Sequence, residues 1–156
     1  MKPIAMKTKL ETFYIVGLSV RTSNEDGQAA ADIPALWERF MREGISSKIT
    51  NKLSEDIYSL YTDYEKDHTK PYTTVLGCKV KDLDAVPEGL TGVKVPGKNF
   101  EVFTASGKLA DGIVYREWTR IWSMPLDRAY SGDFEVYGAK AQNPEQAEVD
   151  IYIALN

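Results

Sequence analysis

Asp133-Phe-Glu-Val-Tyr-Gly138, followed after a short break by Glu148-Val-Asp-Ile-Tyr-Ile-Ala-Leu155, decides how this chain folds. In an extended strand successive side chains point to opposite faces. Phe134 and Val136 therefore enter a core together, while Glu135 and Tyr137 share the other face. The returning segment alternates in the same way, with Val149, Ile151, Ile153 and Leu155 on one face and Asp150, Tyr152 and Ala154 on the other. Two alternating runs joined by Ala139 to Ala147, a segment that includes Asn143-Pro144, read as a hairpin with a long loop. Its non-core face presents a carboxylate beside a phenol. If aromatic groups enclose that face, the chain holds an anionic site in an apolar setting, which suits a cationic organic ligand.

The rest of the sequence bounds what such a hairpin belongs to. The chain has 156 residues, 43% hydrophobic and 27% charged, which fits one globular domain with a sizeable core. A formal charge of -4 and the lack of any basic run argue against a phosphate-backbone footprint, so nucleic acid is not an expected direct partner. Cys78 is the single cysteine, so no internal disulfide forms; its place in Val75-Leu-Gly-Cys-Lys-Val80 reads as a buried structural thiol. Lys2, Lys7 and Lys9 precede the apolar run Phe13–Val20, but Glu11 and the run's alternation make this a first strand, not an export signal. No stretch approaches the ~20 apolar residues that span a bilayer. The expectation is a soluble, cytoplasmic protein.

Taken in order, the first strand leads through Thr22-Ser-Asn-Glu-Asp-Gly27 to a helix. Asp32 is placed as its cap and Pro34 in its first turn. Ile33, Leu36, Trp37, Phe40 and Met41 form its apolar face, and it ends near Gly44. Ile45 to Leu53 reads as a loop or short strand crossing. Ile57–Tyr64 and Tyr72–Val80 read as a hairpin around the polar connection Glu65–Lys70. Lys81 to Gly97, with Pro87, Gly89, Gly92, Pro96 and Gly97, reads as a surface linker. The same order then returns: a strand from Phe100 to Ser106 and a helix over Asp111–Met124, with Val114, Tyr115, Trp118, Ile121 and Trp122 at helical spacing, then the terminal hairpin. The expected fold is α+β. Two β-α-β-β modules, about 12–80 and 99–155, form one antiparallel sheet with both helices packed against it around a central cleft.

The duplicated order, Ile33-Pro-Ala-Leu-Trp-Glu-Arg-Phe40 on the first helix, and the Asp133–Gly138 and Glu148–Ile153 segments together resemble the GyrI-like effector-binding domains. These are ligand-sensing domains of some bacterial multidrug-responsive transcription regulators that also occur alone. The resemblance extends from about Thr12 to Leu155. It implies a central pocket lined by aromatic side chains, in which a buried glutamate meets lipophilic cations; the acid role falls on Glu135, with Tyr137 two residues on. It also implies a stand-alone binder, because no residues are left over for a helix-turn-helix domain.

Each candidate has a plainer reading. Glu135 on an edge hairpin is equally a surface carboxylate; the functional reading rests on the cost of burying an unpartnered anion, which then takes up a proton or awaits a cation. Trp37, Trp118 and Trp122 are core residues or cleft residues, with Trp118 the first choice for the cleft. Tyr61 lies on the opposite strand face from Tyr58 and Tyr64, so only one set faces a pocket. His68, in a charged tip loop beside Asp67, is a poor metal site. Glu117 reads as solvent-exposed. No cofactor, metal or nucleotide signature is recognised. Two other functions are open: a small hydrolase of the GyrI-like type, with Glu135 and Tyr137 as acid and hydrogen-bond donor, and a protein-interaction inhibitor acting through the acidic surface.

Overall fold

The structure, a computed structural model, describes residues 6–156. Eight strands form one antiparallel sheet in the order β1-β6-β8-β7-β3-β4-β2-β5. They are β1 (Met6–Leu10), β2 (Phe13–Thr22), β3 (Ile57–Thr62), β4 (Tyr72–Val80), β5 (Thr91–Val95), β6 (Lys98–Gly107), β7 (Asp133–Tyr137) and β8 (Ala147–Leu155). Three α-helices accompany them among the described residues, α1 (Gln28–Arg42), the one-turn α2 (Ile45–Lys48) and α3 (Ile113–Trp122), along with three short 3-10 turns. The fold is α+β, and both expected hairpins, β3–β4 and β7–β8, are present. Among the described residues no helix is long and apolar enough to cross a membrane.

The sheet cannot lie flat. β5 and β6 stand six strand spacings apart, about 29 Å in a flat sheet, yet only Pro96 and Gly97 separate them in sequence, a reach of about 11 Å. The sheet therefore curls. The β1–β6 and β2–β5 ladders share one register, Leu10 opposite Lys98 and then Phe13 opposite Val95, so residues 6–17 and 91–102 act as two long bent strands that tie the edges together. Inside the curl lies an apolar cluster of Phe13, Ile15, Leu60, Val75, Val95, Phe100, Phe134 and Ala154.

The helices cover the other face as two separate packing units. Leu36 and Phe40 of α1, with Ile45 and Ile49, meet Val16, Leu18, Leu76, Cys78 and Val80. Trp118 and Ile121 of α3 meet Phe103, Ile151 and Ile153. The 2.0 periodicity of the strands explains the division: Val16 and Leu18 go to the helices, Phe13 and Ile15 to the curl. β2 and β4 approach closely where Gly17 faces Gly77. A Cβ on Gly17 would lie 2.1 Å from the Leu76 carbonyl oxygen, and one on Gly77 2.0 Å from that of Val16.

Several expectations need correction. Lys81 to Gly97 is not all linker, because Thr91–Val95 is an edge strand pairing with β2; its glycines and prolines hid five residues of extended backbone. β1 was not anticipated. Ile45 to Leu53 opens with a helical turn, with a single bridge from Lys52 to Val80. Asp32 is not the cap of α1: the helix begins four residues earlier, entered from left-handed Gly27, because Ala29, Ala30 and Ala31 are strong helix formers. Pro34 accordingly lies inside the helix rather than in its first turn. Met41, assigned to the apolar face, is exposed. The thiol of Cys78 is buried, and that burial pushes its pKa up.

Candidate functional site

Between α1 and α3, over the central strands β3 and β7, is a cavity of about 420 Å³. Its floor is set by strand register, with Ser59 of β3 directly opposite Glu135 of β7. Tyr61 and Tyr137 stand two residues further along their strands, on the same face. One wall is Ile33, Pro34 and Trp37 from α1; the other is Val114, Tyr115, Trp118 and Trp122 from α3. All six residues singled out from the sequence, Glu135, Tyr137, Trp118, Trp37, Tyr61 and Trp122, line this one cavity.

Glu135 is 2% exposed, and its carboxylate is held by neutral donors alone. The Tyr61 hydroxyl donates to Oε2 at 2.7 Å and Trp118 Nε1–H to the same oxygen at 2.6 Å; the Tyr137 hydroxyl donates to Oε1 at 2.6 Å. Burial raises the pKa of Glu135 above the ordinary glutamate value, and the hydrogen bonds from Tyr137, Tyr61 and Trp118 oppose that shift without cancelling it. The phenols of Tyr61 and Tyr137 are pushed well above the usual tyrosine value, first by burial and then by the Glu135 charge, so both remain donors. The unpartnered acid expected from the sequence is thus a solvated one, its hydration shell replaced by three fixed protein donors and its charge left uncompensated.

Aromatic rings enclose this group. Trp37 stands edge-on to Tyr137 with centroids 4.8 Å apart, and Tyr61 edge-on to Trp118 at 5.4 Å. Trp118 and Trp122 are 6.3 Å apart. The rule that only one of the tyrosine sets faces the pocket fails at its end. Tyr58 does lie on the far face, but Tyr64 lines the cavity with Tyr61. β3 stops at Thr62, and Asp63 adopts a positive φ of 49°, which breaks the alternation and turns Tyr64 back. Tyr72 of β4 also lines the cavity, 5.8 Å from Tyr61.

A second polar group went unread. Asp133, two residues before Glu135 and on the same strand face, has no solvent exposure. Its Oδ1 accepts from the Ala154 backbone N–H at 2.8 Å; its Oδ2 accepts from the Tyr64 hydroxyl at 2.6 Å and from Arg128 Nη2 at 2.7 Å. Parity with Glu135 was the signal available for Asp133; nothing in the sequence marked Arg128. His68 is in the loop between β3 and β4, as expected, but its ring also stacks on Trp122 with centroids 5.1 Å apart and lines the cavity. Glu117, expected to be solvent-exposed, is half-buried, pairs with Arg120 at 2.7 Å and is not among the lining residues. Glu135 is therefore the one carboxylate among the described lining residues. No group of three His, Cys, Asp or Glu side chains among the described residues has the arrangement of a metal site.

A curled antiparallel sheet with two helices over a cavity rich in tryptophan and tyrosine defines a small-molecule-binding domain of the GyrI-like, effector-binding class. The chain belongs to the Cass2 family of integron-associated effector binding proteins, whose family model matches residues 8–155. It is 31% identical over 152 residues to the YobU protein of Bacillus subtilis (strain 168), covering 95% of each chain. Among solved structures it is similar to an integron cassette protein from the mobile metagenome of Vibrio cholerae (29% identity, TM-score 0.75, covering 97% of this chain and 95% of that one). It also shares its fold with SAV2435, solved bound to tetraphenylphosphonium (16% identity, TM-score 0.80, covering 99% of this chain and 94% of that one).

Proposed function

We propose that the chain captures lipophilic monocations, with Glu135 supplying the charge recognition and Trp37, Trp118, Trp122, Tyr61 and Tyr137 supplying most of the burial. The observation that carries this reading is the carboxylate of Glu135, buried on a cavity floor with three neutral donors and no cation within the set. A bound cation supplies the missing charge where water is excluded and Coulomb attraction is strong. Each favourably placed ring adds roughly 0.5–2 kcal/mol of cation–π attraction. Such walls need little shape specificity, which suits a protein that takes several ligands. The binding of tetraphenylphosphonium by SAV2435 is a property of that protein; it supports the reading here through a shared fold.

Two ions of nearly the same shape and opposite charge test it. Titration of the purified chain with tetraphenylphosphonium and with tetraphenylborate is expected to give saturable binding of the cation and none of the anion at equal concentration. Equal binding of both, or preference for the borate, would remove the charge from the account and leave an unselective apolar cavity.

A further inference from the structure

The curl is packed at one end and open at the other. Beyond the buried cluster around Phe100 and Phe134, a second cavity of about 520 Å³ opens on the face of the sheet opposite Glu135, and no residue lines both cavities. Ligands are commonly held in the mouths of β-barrels, and a sheet curled this far makes a comparable mouth. Strand register lays out its floor: Val136 stands between Tyr58 of β3 and Asp150 of β8, and Phe134 is opposite Tyr152. Phe134 and Tyr152 stack with centroids 4.6 Å apart, and the Tyr58 ring lies 5.7 Å from that of Phe134. The result is an aromatic platform edged by charge.

The charges on that edge fall into two groups. Lys140 lies 3.5 Å from Glu148 and 3.8 Å from Asp150, whose Oδ1 also accepts from Thr104 Oγ1 at 2.8 Å. Asp56 and Lys79 are different: both are half-buried and line the cavity, yet neither has an opposite charge within 4.0 Å among the described residues. Their charged atoms are not closed to solvent, so a ligand can touch them. The Lys79 ammonium rests 5.1 Å from the Phe13 ring centroid. Asp56 is admitted by a glycine, since a Cβ on Gly138 would lie 2.8 Å from its Oδ1. The Tyr58 hydroxyl is an accessible donor as well; burial first and the Asp56 charge second push its pKa up to about 12, so it keeps its proton.

We propose that this mouth is a second small-molecule site, one that takes an aromatic zwitterion of the amino-acid kind, with its carboxylate on Lys79, its ammonium on Asp56 and its ring on the Phe134–Tyr152 platform. The charges select this class. A half-buried ion that has lost part of its water without gaining a counter-ion favours a ligand that supplies one. Here one cation and one anion are left in that state, facing the same cavity. An anion alone meets Lys79 but is opposed by Asp56, Glu148 and Asp150; a cation alone meets Asp56 but is opposed by Lys79. A zwitterion answers both. The site stands apart from the cation reading of Glu135 and does not depend on it.

Three compounds on one indole skeleton test it: tryptophan, tryptamine, which lacks the carboxylate, and indole-3-propionate, which lacks the ammonium. Each is titrated at neutral pH into the isotope-labelled chain, and affinities are read from the amide signals of Lys140 and Tyr152; the indole N–H signals of Trp37, Trp118 and Trp122 report separately on the first cavity. Wild type is expected to bind tryptophan about fivefold more tightly than either partial analogue. Lys79→Met keeps the stem and removes the ammonium, and should bring tryptophan down to the level of tryptamine. Asp56→Asn should bring it down to the level of indole-3-propionate. Equal binding of the three compounds, no shift at Lys140 and Tyr152, or a preference that survives both substitutions would overturn the second site. Shifts confined to the indole signals would overturn it too, by placing tryptophan in the first cavity. None of these results bears on Glu135, whose cation reading stands or falls on the phosphonium titration.

Discussion

Phe134 and Glu135 are neighbours in sequence and equally buried, at 2% exposure each, yet the two faces of β7 do opposite work. On the curl side Phe134 lies flat on Tyr152 with centroids 4.6 Å apart, and meets Phe13 and Phe100 edge-on. The contacts of the Phe134 ring are apolar, and although the second cavity opens on this face beside Phe134, Val136 and Tyr152, the charged groups around it, Asp56, Lys79, Lys140, Glu148 and Asp150, are not among the buried residues. On the helix side Glu135 and Tyr137 place a carboxylate and a phenol under tryptophans, with a cavity open above them, while Asp133 is tied to Arg128 and Tyr64 beside it. One face is packed to hold the curled sheet together. The other keeps polar groups solvated by fixed donors and leaves room for something else. Stability and cation recognition are thus separated by one residue of register, which the strict period of two makes possible.

Breaking the apolar face should have the largest effect. Phe134→Ala is expected to cost about 3–5 kcal/mol of stability by urea denaturation, while the ratio of phosphonium to borate affinity in the remaining folded protein stays as it was. A change in that ratio would show that the two faces are not separable. Asp133→Asn comes next, at about 3 kcal/mol, because it leaves the buried guanidinium of Arg128 without its counter-charge. A loss under ~1 kcal/mol would mean that the pair is not a structural tie. Glu135→Gln should move stability by no more than about 1 kcal/mol, and toward greater stability, since the empty site no longer buries an unneutralised acid. Thermal denaturation of the unliganded proteins decides this.

The pH dependence is the finest of these tests. The folded-state pKa of Glu135 is raised, so between the ordinary glutamate value and that raised value the folded protein holds a proton the unfolded chain has released. Glu135 thus favours the fold at acid pH, and that contribution is lost as pH rises through the folded pKa. Cation binding has the opposite sign: the carboxylate must be ionised, so affinity climbs through the same window and a proton is released on binding. Calorimetry in buffers of different ionisation enthalpy should detect that proton in wild type and none in Glu135→Gln. Proton uptake on binding would contradict the assignment.

Alternation was enough to place Phe134 and Glu135 on opposite faces and to read both hairpins, because the period of a strand is fixed by covalent geometry. Helical spacing likewise placed Trp37, Trp118 and Trp122 on faces that meet a cavity. What escaped depended on breaks in periodicity or on distant partners. Asp63 with positive φ reverses the parity that assigned Tyr64. The strand Thr91–Val95 exists because β2 is there to pair with it, and its own Gly92, with the glycines and prolines around it, argues against extended structure. Arg128 acquires meaning only through Asp133 and the stacked Tyr130, contacts that no local pattern encodes.

The central claim, that Glu135 supplies the charge recognition and the aromatic walls the burial, is tested most directly by calorimetric titration of wild type and Glu135→Gln, each with a cationic dye and its uncharged isostere, at a pH above the Glu135 window. Glutamine keeps the size of the side chain and removes the anion; its amide oxygen still accepts from Trp118 and Tyr61, while its NH2 faces the Tyr137 hydroxyl, which can turn to accept instead of donate. The cation is expected to lose about 1.5–3 kcal/mol, roughly ten- to a hundredfold in affinity, and the neutral isostere much less. Equal losses for the two ligands, or no loss for either, would contradict the account.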